Sequence, residues 1–265
     1  MTTGPGFLDP ADHEPEFADP ALLRAHRKRQ LALAYRVLGA MGWGSLGDGH
    51  ISARDPDRAD CFWLGRYGVP FRYMTTDDLV LVRADGTVEG DGHINMAAYY
   101  IHAPVHEARP DIVAAVHCHT PYGTPFSASV TRLLPISQES CAFFEDHEIF
   151  DDEEVSIGST DGGKRIAAAI GGTRAVILRN HGLLTVGATV DAAVGYFLLM
   201  ERCAEVQVKA PAAQPIRPEM ARRVHDEFDE PGAWQVFQWA RRTHVPDAGV
   251  VEGQRHTGSG SVVSP

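Results

Sequence analysis

Two histidines at alternate positions close an apolar run of the sequence, residues 111–119. Such a run is typical of a buried strand, and side chains alternate between the two faces of a strand, so His117 and His119 point to the same side. A third histidine, His181, comes shortly after a second apolar run, residues 175–178. Imidazole nitrogens bind Zn, Fe(II), Mn and Co alike, so the pattern predicts one divalent metal ion held by these three histidines.

Helices and further strands must surround these two runs. Helical spacing of apolar residues predicts helices over 21–41, 96–107, 164–170 and 218–242 and one capped by Thr189, with β-like pieces at 50–54 and 78–82. This irregular alternation favours a layered α/β domain over a sandwich or a helical bundle.

A single domain is predicted over residues 21–245. Residues 1–20 are acidic and interrupted by prolines, and residues 246–265 are rich in Gly and Ser, so both ends are interpreted as flexible tails.

The composition excludes several classes of partner. The 24 Lys and Arg against 35 Asp and Glu give a net charge of -11, which repels nucleic acid and anionic membrane surfaces. No apolar run reaches the roughly 18 residues that span a bilayer, and the start lacks the basic and apolar stretches of a signal peptide. We therefore expect a cytoplasmic protein whose four cysteines, without a CxxC spacing, are reduced thiols.

Three segments together resemble the signature stretches of the class II aldolase/adducin family. They are GDGHISAR (47–54), IHAPVHEARPDIVAAVHCHTPYG (101–123) and AVILRNHGLLTVG (175–187). The resemblance implies a three-layer α/β/α fold with a central, largely antiparallel sheet. It also implies a divalent metal on His117, His119 and His181, a small-molecule substrate, and a homotetramer with active sites at subunit boundaries.

The sequence departs from the family pattern where sugar-phosphate enzymes bind phosphate and carry a catalytic glutamate. When the chain is aligned on His102, their Ser-Ser-Glu stretch becomes residues 96–98, Met-Ala-Ala. The phosphate loop has His50 in place of an asparagine and Tyr67 in place of a threonine before Gly68. Since a phosphate dianion needs donors to offset its desolvation, these changes argue against a sugar-phosphate substrate.

Other groups must then handle the proton and hold the substrate. The predicted catalytic residues are His50, Tyr122, Glu145 and His147, with Tyr67 as a further candidate for the proton. The predicted substrate-binding residues are Gly49, Ser52, Tyr67, Gly68 and Asn95.

Three functions remain open. A metal ion with open positions suits chelation of a 2-oxo or 2-hydroxy carboxylate, so the first hypothesis is a lyase or decarboxylase acting on an unphosphorylated acid. The second is an Fe(II) oxygenase, because a few family members, the prenylated-hydroxyphenylpyruvate oxygenases of aminocoumarin pathways, also lack the glutamate and perform oxidative decarboxylation. The third is an adducin-like scaffold without metal, against which the retention of three histidines argues.

Two further patterns have a structural interpretation. His102 and His106, four apart on one helix face, are interpreted as helix-packing residues. The GxGxxG match at residues 42–47 follows a predicted helix and precedes a strand, the reverse of a dinucleotide-binding fingerprint, so no NAD site is predicted.

Overall fold

The computed structural model describes residues 13–253. Its centre is an eight-stranded sheet with the order β4-β3-β2-β1-β5-β8-β7-β6, in which every neighbouring pair is antiparallel except β6 and β7. The strands are β1 Gly49–Arg54, β2 Cys61–Gly65, β3 Leu79–Arg83, β4 Val88–Glu89, β5 Ala114–Cys118, β6 Glu148–Phe150, β7 Ala175–Leu178 and β8 Gly182–Gly187.

Within the described residues, seven α-helices flank the sheet. They are α1 Pro20–Ala40, α2 Met96–Ala108, α3 Gly123–Ser127, α4 Thr160–Ile170, α5 Val190–Lys209, α6 Pro218–Glu227 and α7 Glu230–His244. The sequence sets several of their starts, because the side chains of Asp19, Asn95 and Thr189 each accept a hydrogen bond from a backbone N–H of the first turn that follows.

The two faces of the sheet carry different helices. Alternation along β5 sends Val116 and Cys118 into a core with α1, α5 and α7, whereas Ala115 packs with α2 and α4 on the opposite face. The structure therefore confirms the predicted three-layer α/β/α fold with a largely antiparallel sheet.

The folded body is longer than the predicted domain. Val251 is fully buried in the main core, and before α1 the carboxylate of Glu14 binds His26 and Trp234. The predicted limits at residues 21 and 245 are therefore too narrow, since both flanking segments pack on the body. The remaining parts of the two predicted tails, residues 1–12 and 254–265, lie outside the described residues.

All four cysteines are buried and unpaired. Within residues 13–253, no helix combines the length and the apolar character that crossing a membrane requires.

Helices α5 and α7 pack closely because Gly195 has no side chain. A Cβ at this position would lie 1.9 Å from the carbonyl oxygen of Ala233. Overpacking costs about 1–3 kcal/mol, and the better helix propensity of alanine returns only about 1 kcal/mol. We therefore expect Gly195→Ala to lower the free energy of unfolding by up to about 2 kcal/mol, measured by denaturant titration.

The matched control is Gly158→Ala, because a Cβ there meets no atom within 4 Å. Its free energy of unfolding should stay within about 0.5 kcal/mol of the parent value. Equal stabilities of the two variants would show that the close helix crossing is not the reason for the glycine.

Candidate metal centre

Three histidine rings meet at one end of the paired strands β5 and β8. His117 lies in β5 and His119 directly follows it, while His181 lies in the turn between β7 and β8. The ring centroids of His117 and His181 are 4.6 Å apart, those of His119 and His181 4.8 Å, and those of His117 and His119 5.2 Å. One nitrogen from each ring lies within 4.8 Å of the other two. The antiparallel register between β5 and β8 creates this cluster, since it places the turn beside the end of β5.

The chemistry of these donors fits a divalent metal ion. The Nδ1 of His117 donates a hydrogen bond to the carbonyl oxygen of Leu183 at 2.8 Å, which leaves Nε2 as its ligand atom. Burial lowers the pKa of all three histidines, that of His181 to about 4, because desolvation disfavours the charged ring. The rings are therefore neutral near pH 7, as metal ligands must be.

A hydrogen-bonded network of buried polar side chains extends from this cluster beneath helix α2. His50 lies opposite His117 in the register of β1 and β5, with 4.8 Å between their ring centroids. Its Nδ1 is 2.6 Å from Nε2 of His102, and Ser52 Oγ bonds both Nδ1 of His102 and Nε2 of His106. His102 and His106 thus lie in the helix–sheet interface, as their interpretation as packing residues requires.

The two ends of this network, His50 and His106, each have one ring nitrogen outside its hydrogen bonds. With Nδ1 engaged by His102, the ring of His50 has Nε2 left for a substrate. At the far end, Nδ1 of His106 is buried without a hydrogen-bond partner, and its ring stacks on Phe62 at 5.2 Å. Burial lowers the pKa of His50, His102 and His106, so these three side chains are uncharged near pH 7.

A cavity of about 290 Å³ opens beside His50. Four of the five predicted substrate-binding residues line it, whereas Ser52 is fully buried in the network with His102 and His106. The four lining residues are Gly49, Tyr67, Gly68 and Asn95. Much of the remaining wall is apolar, formed by Tyr35, Leu64, Val69, Phe71, Met74 and Ala98.

A positively charged side chain, Arg66, also lines the cavity, and the sequence did not predict it as a site residue. The Nε of Arg66 is buried without a hydrogen-bond partner, and no carboxylate within residues 13–253 forms an ion pair with its guanidinium. Arg66 as a whole is only partly buried, and an anion bound in the cavity would stabilise its guanidinium. No sequence signal distinguished Arg66 from the other arginines, because it follows β2 outside the three signature segments.

The loop after His119 is held by a second missed residue, Glu201 of α5. Its carboxylate accepts hydrogen bonds from the backbone N–H of Tyr122 at 2.9 Å and of Gly123 at 2.7 Å, and from Thr120 Oγ1. The ring of Tyr122 lies against Lys209, 4.9 Å from the ammonium to the ring centroid. Glu201 therefore fixes the backbone that leaves the histidine cluster.

Glu145 and His147, two of the predicted catalytic residues, make structural contacts elsewhere. The carboxylate of Glu145 is exposed and pairs with Arg222 at 2.8 Å. His147 donates from Nδ1 to the carbonyl oxygen of Phe143 and accepts at Nε2 from the N–H of Leu133, so both ring nitrogens are engaged. They precede β6, an edge strand that runs parallel to β7. This register places them beside the start of β7, whereas His181 follows its end.

Sequence comparison identifies the family to which this arrangement belongs. The family model of the Class II Aldolase and Adducin N-terminal domain matches residues 29–208. The chain belongs to the class II aldolase and adducin family. The resemblance carried by the three signature segments is thereby confirmed, and all three histidines of the cluster fall inside the matched region.

Two relatives and one solved structure are similar over most of their length. The chain is 44% identical over 216 residues to a 4-hydroxy-3-prenylphenylpyruvate oxygenase/4-hydroxy-3-prenylbenzoate synthase of Streptomyces roseochromogenus subsp. oscitans, covering 79% of this chain and 78% of the relative. It is also 44% identical over 214 residues to Decarboxylase NovR of Streptomyces niveus, with 78% and 79% covered. The structure of an L-fuculose 1-phosphate aldolase from Glaciozyma antarctica PI12 matches with a TM-score of 0.84 and 34% identity, over 91% of this chain and 97% of that chain.

Proposed function

We propose that this class II aldolase family member is a metal-dependent enzyme that cleaves a C–C bond of an unphosphorylated 2-oxo or 2-hydroxy acid, by aldol cleavage or by decarboxylation. The observation that carries the proposal is the convergence of three neutral histidine nitrogens within 4.8 Å, next to His50, which lines the cavity. A divalent ion on these histidines would supply a Lewis acid for a substrate oxygen. A scaffold without metal gains nothing from burying this cluster, which supports an enzyme.

The residues of the cavity support an organic acid as substrate. The guanidinium of Arg66 can bind a carboxylate through charge-assisted hydrogen bonds, and the apolar wall around Phe71 and Met74 can bind an aromatic or aliphatic group. Ala98 lines the cavity at the position that aligns with the catalytic glutamate of sugar-phosphate enzymes. Tyr67 and Asn95 remain candidates for hydrogen bonds to the substrate.

His50 is the residue that we assign to proton handling. It lines the cavity, and its ring contacts that of His117, so it borders both the substrate and the metal ligands. His102 fixes the ring through Nδ1, and Ser52 in turn fixes His102. The Nε2 of His50 is therefore held in one place, as a group that exchanges a proton with the substrate requires.

Arg66 gives a direct test of the substrate class. Charge-assisted hydrogen bonds contribute about 1.5–3 kcal/mol, which corresponds to roughly 10- to 100-fold in affinity. We expect Arg66→Gln to raise KM for an acid substrate by about this factor, with a smaller change in kcat. Steady-state kinetics on the acid and on its neutral amide or ester analogue measure the effect.

The analogue supplies the control for this variant. Because it lacks the carboxylate, its KM should be nearly the same for Arg66→Gln and for the parent enzyme. An equal increase in KM for both compounds would contradict the assignment of Arg66 to the carboxylate.

A second candidate is oxidative decarboxylation with Fe(II) and O₂. It is favoured by the 44% identity to a relative named as an oxygenase, whose name denotes an aromatic 2-oxo acid. Three neutral imidazoles also suit Fe(II). Both candidates use the same histidines and the same cavity, and they differ in whether O₂ is consumed.

One experiment separates these candidates. The protein is loaded anaerobically with Fe(II), Zn, Mn or Co and mixed with 4-hydroxyphenylpyruvate and with aliphatic 2-oxo and 2-hydroxy acids, with and without O₂. Turnover without O₂ supports the lyase, whereas O₂ uptake in proportion to product with Fe(II) alone supports the oxygenase. Efficient cleavage of fuculose 1-phosphate would overturn the proposal of an unphosphorylated substrate and favour the activity named for the structural relative.

Three predictions about the whole protein accompany this proposal. Assembly into homotetramers follows from the resemblance, and light scattering on the purified protein tests it. Location in the cytoplasm and the absence of a nucleic-acid partner rest on the sequence and its net charge of -11.

A further inference from the structure

A second cluster of metal-ligating side chains lies apart from the three histidines. It combines Glu14 from the segment before α1, His26 of α1 and Asp191 in the first turn of α5. One carboxylate oxygen or ring nitrogen from each residue lies within 4.8 Å of the other two. The chain thus brings three potential ligands together from positions up to 177 residues apart in sequence.

The decisive member is Asp191. Its side chain is fully buried, and its Oδ2 has no hydrogen-bond partner. Its Oδ1 accepts a hydrogen bond of 2.5 Å from Nε2 of Gln238. A buried carboxylate oxygen without a partner costs several kcal/mol relative to water, so a cation or a proton is needed beside Oδ2.

The surrounding contacts orient the three candidate ligands. Trp234 donates from Nε1 to Oε2 of Glu14 at 2.9 Å, and Oε1 of the same carboxylate lies 2.7 Å from Nε2 of His26. Each of the two carboxylates therefore has one oxygen held by an N–H group of α7. The other oxygen of Glu14 contacts His26, whereas Oδ2 of Asp191 has no hydrogen-bond partner. Outer hydrogen bonds of this kind orient the ligands in known metal sites.

The charge and the donor types indicate which ion fits. Two carboxylates face one imidazole, while the guanidinium of Arg27 acts on Glu14 and that of Arg241 acts on Asp191. One nitrogen and two carboxylate oxygens suit Zn, Mn or Fe(II), whereas Ca²⁺ takes six to eight oxygen ligands.

We propose that Glu14, His26 and Asp191 form a second divalent-cation site that fastens the segment of residues 13–19 to helices α1, α5 and α7. This site has a structural role and is separate from the candidate active site. Asp191 and Glu201, which fixes the loop after His119, are ten residues apart on α5, a separation of about 15 Å along the helix. The inference does not depend on the proposed reaction.

The number of bound ions tests the proposal. The full-length protein is stripped with a chelator, dialysed against Zn²⁺ or Mn²⁺, and measured by elemental analysis. We expect two ions per chain in the parent protein and one in Glu14→Gln or His26→Gln. Both residues are only partly buried, so these variants should fold even if Asp191→Asn does not.

Trp234 supplies a second, local signal. Because its indole N–H is bonded to Glu14, Co²⁺ at the cluster should quench its fluorescence, and the quenching should be lost in Glu14→Gln and in Trp234→Phe. One ion per chain in both the parent and Glu14→Gln, with unchanged quenching, would overturn the proposal and show that Oδ2 of Asp191 carries a proton instead. The count for Glu14→Gln is independent of whether the histidine cluster catalyses the proposed reaction.

Discussion

Replacing His119 by alanine is expected to remove one bound metal ion per chain and to reduce activity by about 10³-fold or more. The ring is one of three neutral donors in the cluster, and two remaining imidazoles form an incomplete site for Zn or Fe(II). Loss of a Lewis acid removes several kcal/mol of transition-state stabilisation, and each 1.36 kcal/mol corresponds to tenfold in rate. Elemental analysis and steady-state kinetics measure the two effects.

The fold should survive this change. His119 lies beyond the end of β5 and is only partly buried, so removing its ring leaves no cavity in the core. The far-UV circular dichroism of the metal-free variant should match that of the metal-free parent. His244→Ala, at an exposed position at the end of α7, is the matched control and should retain both metal and activity.

The number of bound metal ions is easiest to interpret in a variant that lacks the second proposed site. In Glu14→Gln, adding His119→Ala should lower the bound metal from one ion per chain to none. A stoichiometric ion that persists in this double variant would refute the assignment of His119 as a ligand. Full activity of His119→Ala would contradict the proposed enzyme itself.

The convergence of the three histidines could be predicted from local rules. Period two in a strand places His117 and His119 on one side, and the short apolar run at residues 175–178 predicts a strand that ends near His181. The family resemblance implied only a largely antiparallel sheet, and the structure adds that β5 pairs with β8 in an antiparallel register. The strand boundaries were less accurate, since β5 begins at Ala114 and ends one residue before His119.

The partners of isolated polar residues could not be predicted in the same way. Arg66, Glu201 and Asp191 matter because of what surrounds them in three dimensions, and their sequence neighbours carry no pattern. The His50–His102 bond joins residues 52 apart across a helix–sheet interface. Glu145 and His147 had a suggestive sequence context, yet the local fold engages them with Arg222 and with backbone groups.

The buried histidines predict a strong dependence of stability on pH. Seven of them have a pKa lowered by burial, so they are neutral in the fold at a pH where they become charged in the unfolded chain. These are His50, His102, His106, His117, His119, His147 and His181. Their contribution to stability is fully present above the unfolded pKa of about 6.5 and is lost as the pH falls.

Three carboxyl groups have the opposite effect on the pH dependence of stability. Burial raises the pKa of Asp191, Glu201 and Glu230, so these groups bind protons more readily in the fold than in the unfolded chain. The histidines outnumber the carboxyls, so unfolding below about pH 6 takes up protons. Each proton taken up changes the free energy of unfolding by about 1.4 kcal/mol per pH unit, so the stability of the metal-free protein should fall as the pH decreases from 6 to 5.

Denaturant titrations of the metal-free protein from pH 7.5 to pH 5 measure this slope. His106→Phe is the informative variant, because burial lowers the pKa of His106 to about 3 and a phenyl ring can keep the stacking on Phe62. The slope of stability against pH should decrease by about 1.4 kcal/mol per unit in this variant, whatever its stability at pH 7.5. An unchanged slope in His106→Phe would contradict the lowered pKa of His106 in the fold.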